Sequence, residues 1–120
     1  MKILIADDNQ RIRKMISKLI NKLSIKIELI ECSDGEQAIQ CFQKEKPDLV
    51  LMDIVMNPLD GLEATRRIHA IDNSAKIIIV SQYSEEEYRQ EALACGALEY
   101  INKIYLSTIP TIVTKFLNVN

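Results

Sequence analysis

Cysteine is scarce and unpatterned in this chain: Cys32, Cys41 and Cys95 share no CxxC spacing and sit in apolar surroundings. A disulfide framework and a zinc site are excluded on that count, and plain packing is the expected role. Histidine is scarcer still, since His69 stands alone near the end of a polar segment, far in sequence from the acids discussed below. It reads as a surface residue. No window approaches the eighteen or so apolar residues of a membrane span, and the N-terminus lacks the pattern of a secretion signal. A soluble, cytoplasmic protein without membrane contact is expected. The net charge is only -2, which argues against general nucleic-acid binding. No repeat, low-complexity tract or linker divides residues 1–120, a length suited to one compact domain with one core.

Apolar residues make up 48% of the chain, and its charges are unevenly placed. Residues 1–26 carry Lys2, Arg11, Arg13, Lys14, Lys18, Lys22 and Lys26 against Asp7 and Asp8, whereas residues 81–100 carry Glu85, Glu86, Glu87, Glu91 and Glu99 against Arg89. Such asymmetry can orient a partner, although each patch alone also suits an ordinary solvated helix face.

The stretch that organises the rest is Pro47 to Gly61, PDLVLMDIVMNPLDG. Leu49 to Met52 is apolar without alternation, the mark of a strand buried on both faces. It ends on Asp53, so the strand delivers an acid to a site. Lys2 to Ala6 repeats the pattern and ends on Asp7 and Asp8. After Asn9, a cap, Ile12, Met15, Ile16, Leu19, Ile20 and Leu23 recur at steps of three and four, predicting an amphipathic helix with Arg11, Arg13, Lys14, Lys18 and Lys22 outside.

Lys26 to Glu31 suits an edge strand. Ser33 with Glu36 predicts a capping box opening a second helix, which Lys46 and Pro47 end. A third helix is expected from about Leu62 to Ile71, and a buried strand at Ala75 to Val80 ends at Ser81. Ser84 with Glu87 predicts another capping box, and Gly96 stops that helix. Leu98 to Asn102 reads as a last strand stopping at Lys103, and Ile109 to Leu117 as a last helix behind a Ser107 or Thr108 cap, with Pro110 in its first turn. Five strands alternating with five helices call for a parallel sheet covered on both faces through right-handed crossovers.

In open sheets of this type, functional groups collect at the carboxyl ends of the strands. If the first and third strands are neighbours, about 4.8 Å apart, Asp7, Asp8 and Asp53 crowd together. Their repulsion calls for a cation, and oxygen donors without nearby His or Cys favour Mg2+. Mg2+ in turn accepts phosphate oxygen, and Lys103 with the hydroxyl of Ser81 could hold the rest of the anion. The set describes a carboxylate, Asp53, that receives a phosphoryl group. Taken singly, each of these residues is equally well read as a cap or loop residue.

With these motifs in place the chain resembles the receiver domains of bacterial two-component response regulators over essentially its whole length. The Asp7 and Asp8 pair, MDIVMNPLDG around Asp53, Ser81, and GALEYINK ending at Lys103 carry the resemblance, and DGLEATRRI with SQYSEEEY makes it closest to the NarL/FixJ class. The resemblance implies a flavodoxin-like (βα)5 three-layer sandwich with a parallel five-stranded sheet of order 2-1-3-4-5. It implies that Asp53 takes a phosphoryl group from a histidine kinase or histidine phosphotransfer protein. Mg2+ would be held by Asp8, Asp53 and the backbone carbonyl of Val55, with Asp7 helping. Lys103 would contact the phosphoryl group, Ser81 would swing to it, and Tyr100 would turn inward, switching the surface from the fourth helix through the last strand to the fifth helix. That surface would serve a homodimer or a partner protein, and the basic first helix would dock the phosphodonor. Regulators of the NarL/FixJ class continue into a DNA-binding helix-turn-helix, which this sequence does not contain; DNA binding and transcription regulation would require one.

Two residues depart from the family pattern. Asn57 stands where proline is usual, with Pro58 after it, and Ile104 follows Lys103 where many receivers have proline, so no cis peptide is expected there. Two other readings remain open: a degenerate receiver kept as an interaction module, and a metal-dependent phosphohydrolase. The second would favour an acid two residues after Asp53, where Val55 stands. Val55 and Tyr83 offer no acid or amide to position a water, so slow loss of the phosphate is expected.

Overall fold

The computed structural model describes residues 1–117; residues 118–120 of the expected domain lie outside them. The strands are β1 (Lys2–Ala6), β2 (Glu28–Cys32), β3 (Leu49–Met52), β4 (Ile77–Ser81) and β5 (Glu99–Asn102), each followed by a helix, α1 (Gln10–Asn21), α2 (Gly35–Glu45), α3 (Gly61–Ile71), α4 (Glu86–Ala94) and α5 (Ile109–Phe116). A short 3-10 helix, Lys103–Thr108, leads into α5. All strands are parallel, in the order β2-β1-β3-β4-β5.

The central strands are buried on both faces, which is why their sequences show no polar alternation. Ile3, Ile5, Leu49, Leu51, Ile78 and Val80 meet Ile16, Ile20, Ile109 and Val113 of α1 and α5. Leu4, Ala6, Val50, Met52, Ile77 and Ile79 meet Phe42, Ala64, Ile68 and Ala92 of α2, α3 and α4. The result is the three-layer flavodoxin-like sandwich.

Local chemistry starts most helices where a carboxamide or carboxylate follows a strand. Asn9 accepts from the N–H groups of Arg11 and Ile12, and Asp60 accepts from Glu63 N at 2.9 Å. The Ser33–Glu36 capping box is corrected by one residue: Asp34 caps α2 by accepting from Gln37 N at 2.9 Å, and Gln37 Oε1 takes Ser33 N–H at 3.1 Å. Both Ser33 and Asp34 are able caps, and β2 running on to Cys32 decides between them. The Ser84–Glu87 box does not form either. Glu85 occupies the cap position of α4 without a side-chain bond, and no bond from Ser84 replaces it.

Gly96 ends α4 as expected, at φ 111°, and a Cβ there would lie 2.6 Å from the His69 ring. His69 is therefore half-buried under Gly96 rather than a plain surface residue. Met15, expected on the inner face of α1, is 45% exposed, because Ile16 and Ile20 alone take the buried positions on that helix. The peptide preceding Pro58 is cis.

Candidate functional site

The sheet register explains why the acids meet. Ala6 pairs with Met52, and Asp53 N donates to Ala6 O at 2.8 Å, so Asp7 and Asp53 emerge at one level from neighbouring strands. Ser81 pairs with Asn102, which brings Lys103 out beside them. One oxygen each from Asp7, Asp8 and Asp53 lies within 4.8 Å of the others. Asp7 and Asp53 are 2% and 5% exposed, while Asp8 faces solvent.

Lys103 Nζ sits 2.9 Å from Asp7 Oδ2 and 3.3 Å from Asp53 Oδ1. Asp7 Oδ1 accepts from Asn9 N, and the buried Oδ2 meets the Lys103 ammonium. Three carboxylates thus face one ammonium. Burial first, and the charge of Asp7 second, push the Asp53 carboxyl from an ordinary 3.8 up to about 6, with Lys103 offsetting part of the rise. Burial alone would lower Lys103, but Asp7 and Asp53 outweigh it and hold the amine above its usual range. A donor set made only of oxygens, with three carboxylates against one ammonium, fits a hard divalent cation.

The hollow over these groups, about 170 Å3, is walled by Asp8, Asn9, Asp53, Val55, Gln82 and Lys103. That leaves room for a phosphoryl group over Asp53. A larger hollow, about 340 Å3, lies around Pro47, Asp48, Asp72 and Lys76, well away from the acid cluster.

Backbone proximity holds the loop after β3. Gly61 N donates to Ile54 O at 2.8 Å, and a Cβ on Gly61 would fall 1.7 Å from Asp53 O. Only glycine leaves room for that carbonyl. Gly35 N donates to Leu59 O at 3.0 Å, tying the same loop to the start of α2.

A family model described as the response regulator receiver domain matches residues 3–113. The chain belongs to that family. Its sequence is 35% identical over 117 residues to sporulation initiation phosphotransferase F of Bacillus subtilis, covering 97% of this chain and 93% of the relative. It is 35% identical over 102 residues to the chemotaxis protein CheY of the same organism, covering 85% and 84%. Among solved structures, a two-component response regulator of the LuxR family from Aurantimonas sp. SI85-9A1 superposes with a TM-score of 0.90 at 25% identity, covering 98% of this chain and 84% of that one. The receiver is accordingly a signalling phosphoacceptor of two-component systems, a class that works with histidine kinases or phosphotransfer proteins, and not an enzyme in the usual sense. Among its described residues no helix is long and apolar enough to cross a membrane.

Within this receiver, Asp7, Asp8, Asp53 and Lys103 are brought together and Val55 borders them. Ser81 and Tyr100 meet elsewhere, on Tyr83. Ser81, 1% exposed, accepts from Tyr83 N at 3.0 Å, and the half-buried Tyr100 donates its hydroxyl to Tyr83 O at 2.6 Å. Tyr100 is thus already turned inward. Burial raises its phenol above the ordinary range, and the Ser81 hydroxyl partly offsets that rise.

Two site neighbours escaped sequence reasoning. Arg13, read as an outward residue of α1, donates Nη1 to Asp7 O and Nε to Glu31 at 3.0 Å, pinning the backbone of the acidic turn. Gln82 walls the pocket; its place directly after a strand-ending polar residue was the available signal.

Proposed function

We propose that Asp53 is the phosphoacceptor of this receiver. The observation that carries the reading is the buried Asp53 carboxylate opening into a pocket with room for a phosphoryl group, with Lys103 3.3 Å away and two further acids beside it. Asp8, Asp53 and the Val55 carbonyl, with Asp7 helping, would hold Mg2+, which supplies positive charge to the phosphoryl oxygens when bound. Ionised Asp53 attacks phosphorus of a phosphohistidine; the P–N bond breaks, its electron pair leaves with the imidazole, and a P–O bond to Asp53 forms. Lys103 receives the new negative charge by exchanging part of its contact with the carboxylates for phosphoryl oxygen. The receiver thereby phosphorylates itself once per encounter, and loses the group by hydrolysis.

Phosphorylation replaces the single charge of the Asp53 carboxylate by the roughly -1.5 to -2 of a phosphoryl group and adds acceptor oxygens to the pocket. Ser81 turns its hydroxyl to the phosphoryl group and gives up Tyr83 N–H, which frees one of the three tethers on Tyr83. Tyr88 stacks on Tyr83 with ring centroids 4.7 Å apart, and Tyr100 holds its carbonyl, so the start of α4 moves with it. The output surface runs from α4 through β5 to α5, where Ile104 and Tyr105 are 77% and 58% exposed and offer apolar area for a second copy or a partner protein. Phosphodonor docking falls to α1, whose exposed Arg11, Lys14 and Lys18 surround exposed Met15.

Incubation with acetyl phosphate and Mg2+, followed by intact-protein mass, tests the assignment. One added phosphoryl group that disappears in Asp53→Ala is expected; no addition, or addition that survives the substitution, overturns it.

A further inference from the structure

Loss of the phosphoryl group needs a water beside it, and the residues at the two positions expected to supply one, Val55 and Tyr83, do not. Val55 is apolar, and Tyr83 does not wall the pocket: its ring stacks on Tyr88 and its backbone is held by Ser81 and Tyr100. The pocket walls contain a different answer. Asp8 and Asp53 are committed to the cation and the phosphoryl group in the proposed site, Lys103 is engaged by Asp7 and Asp53, and Asn9 has spent its side-chain oxygen on the N–H groups of Arg11 and Ile12. Gln82 remains: it is exposed at the pocket wall, and its carboxamide makes no hydrogen bond among the described residues. It carries a donor and an acceptor on one flexible stem.

Building on Asp53 as the acceptor, we infer that Gln82 is a catalytic residue for dephosphorylation, its carboxamide oxygen holding the attacking water while its NH2 group meets a phosphoryl oxygen. The water oxygen forms the new bond to phosphorus. The P–O bond to Asp53 breaks and its electron pair returns to the carboxylate. Both water hydrogens leave with dihydrogen phosphate, so the charge of the aspartyl phosphate divides between Asp53 and the product. Gln82 supplies orientation and no proton, since an amide does not titrate in this range. The phosphate is consequently shorter-lived than Val55 and Tyr83 alone dictate.

The test compares wild type with Gln82→Leu, which keeps the bulk and removes the amide, and Gln82→Ala, which removes both. Each protein is charged with acetyl phosphate and Mg2+, freed of excess reagent, and followed by intact mass. The expected result is normal charging with a phosphate half-life about tenfold longer in both variants, a modest share of what a positioned group contributes. A half-life in either variant equal to or shorter than wild type overturns the inference, the Ala result separating an amide effect from water exclusion by bulk. Failure of the underlying assignment looks different: wild type then takes up no phosphate, or takes up phosphate that Asp53→Ala retains.

Discussion

Replacing Asp53 by Asn isolates the electrostatic strain of the acid cluster. The carboxyl is pushed from an ordinary 3.8 to about 6, by burial first and Asp7 second. A rise of about 2 units corresponds to roughly 3 kcal/mol between the folded and unfolded states. The sign follows from proton binding: between about pH 4 and 6 the folded chain holds a proton that the unfolded chain has released, so this group's contribution to stability falls as pH rises through that window and is level above it. The amide has nearly the same shape and no charge to strand. In ion-free buffer, Asp53→Asn is expected to be up to about 3 kcal/mol more stable than wild type at pH 7.5, the gap narrowing to about 1 kcal/mol near pH 4.5. Urea unfolding read by far-ultraviolet circular dichroism serves, because the chain has no tryptophan to report by fluorescence. Added Mg2+ at ten times its dissociation constant should return about 1.4 kcal/mol to wild type and less to the variant. An Asn variant no more stable than wild type at pH 7.5, or a gap that fails to narrow toward acid pH, refutes the reasoning.

Lys103→Met leaves the Asp7 and Asp53 carboxylates without their shared ammonium; ion-free stability at pH 7.5 should fall by about 1–3 kcal/mol, below the range for fully buried pairs because Lys103 retains some exposure. Charging of that variant by acetyl phosphate, read by intact mass, should be severely slowed. Gly61→Ala forces a methyl into the Asp53 carbonyl, which should lower stability in urea by about 1–3 kcal/mol or more and impair charging. Asp60→Ala removes the α3 cap at a loss of about 1 kcal/mol, and charging should survive because Asp60 does not wall the pocket.

Much of the site could be read from the chain because buried parallel strands tolerate few polar residues. Asp7, Asp53 and Lys103 each mark where the chain leaves the sheet, and Ser81 is the last residue of its strand. Helix caps were less legible, since Ser33 and Asp34 compete on equal chemistry until β2 has an end. Met15 shows the same limit on a helix: periodicity defines an apolar stripe, but the neighbouring layers decide which edge of it is covered. Arg13 and Gln82 carried no pattern of their own, and their roles come from what lies opposite them.

From the residues alone came the alternation of elements and the polar group waiting at each strand end, both consequences of short-range pattern and burial. The strand order came instead by family resemblance, and the meeting of the charges belongs to the folded sheet. β1 and β3 lie side by side although α1, β2 and α2 separate them in the chain. Long-range packing chooses that neighbour, and with it the burial and then the crowding that raise Asp53, engage Lys103 and make three acids one site.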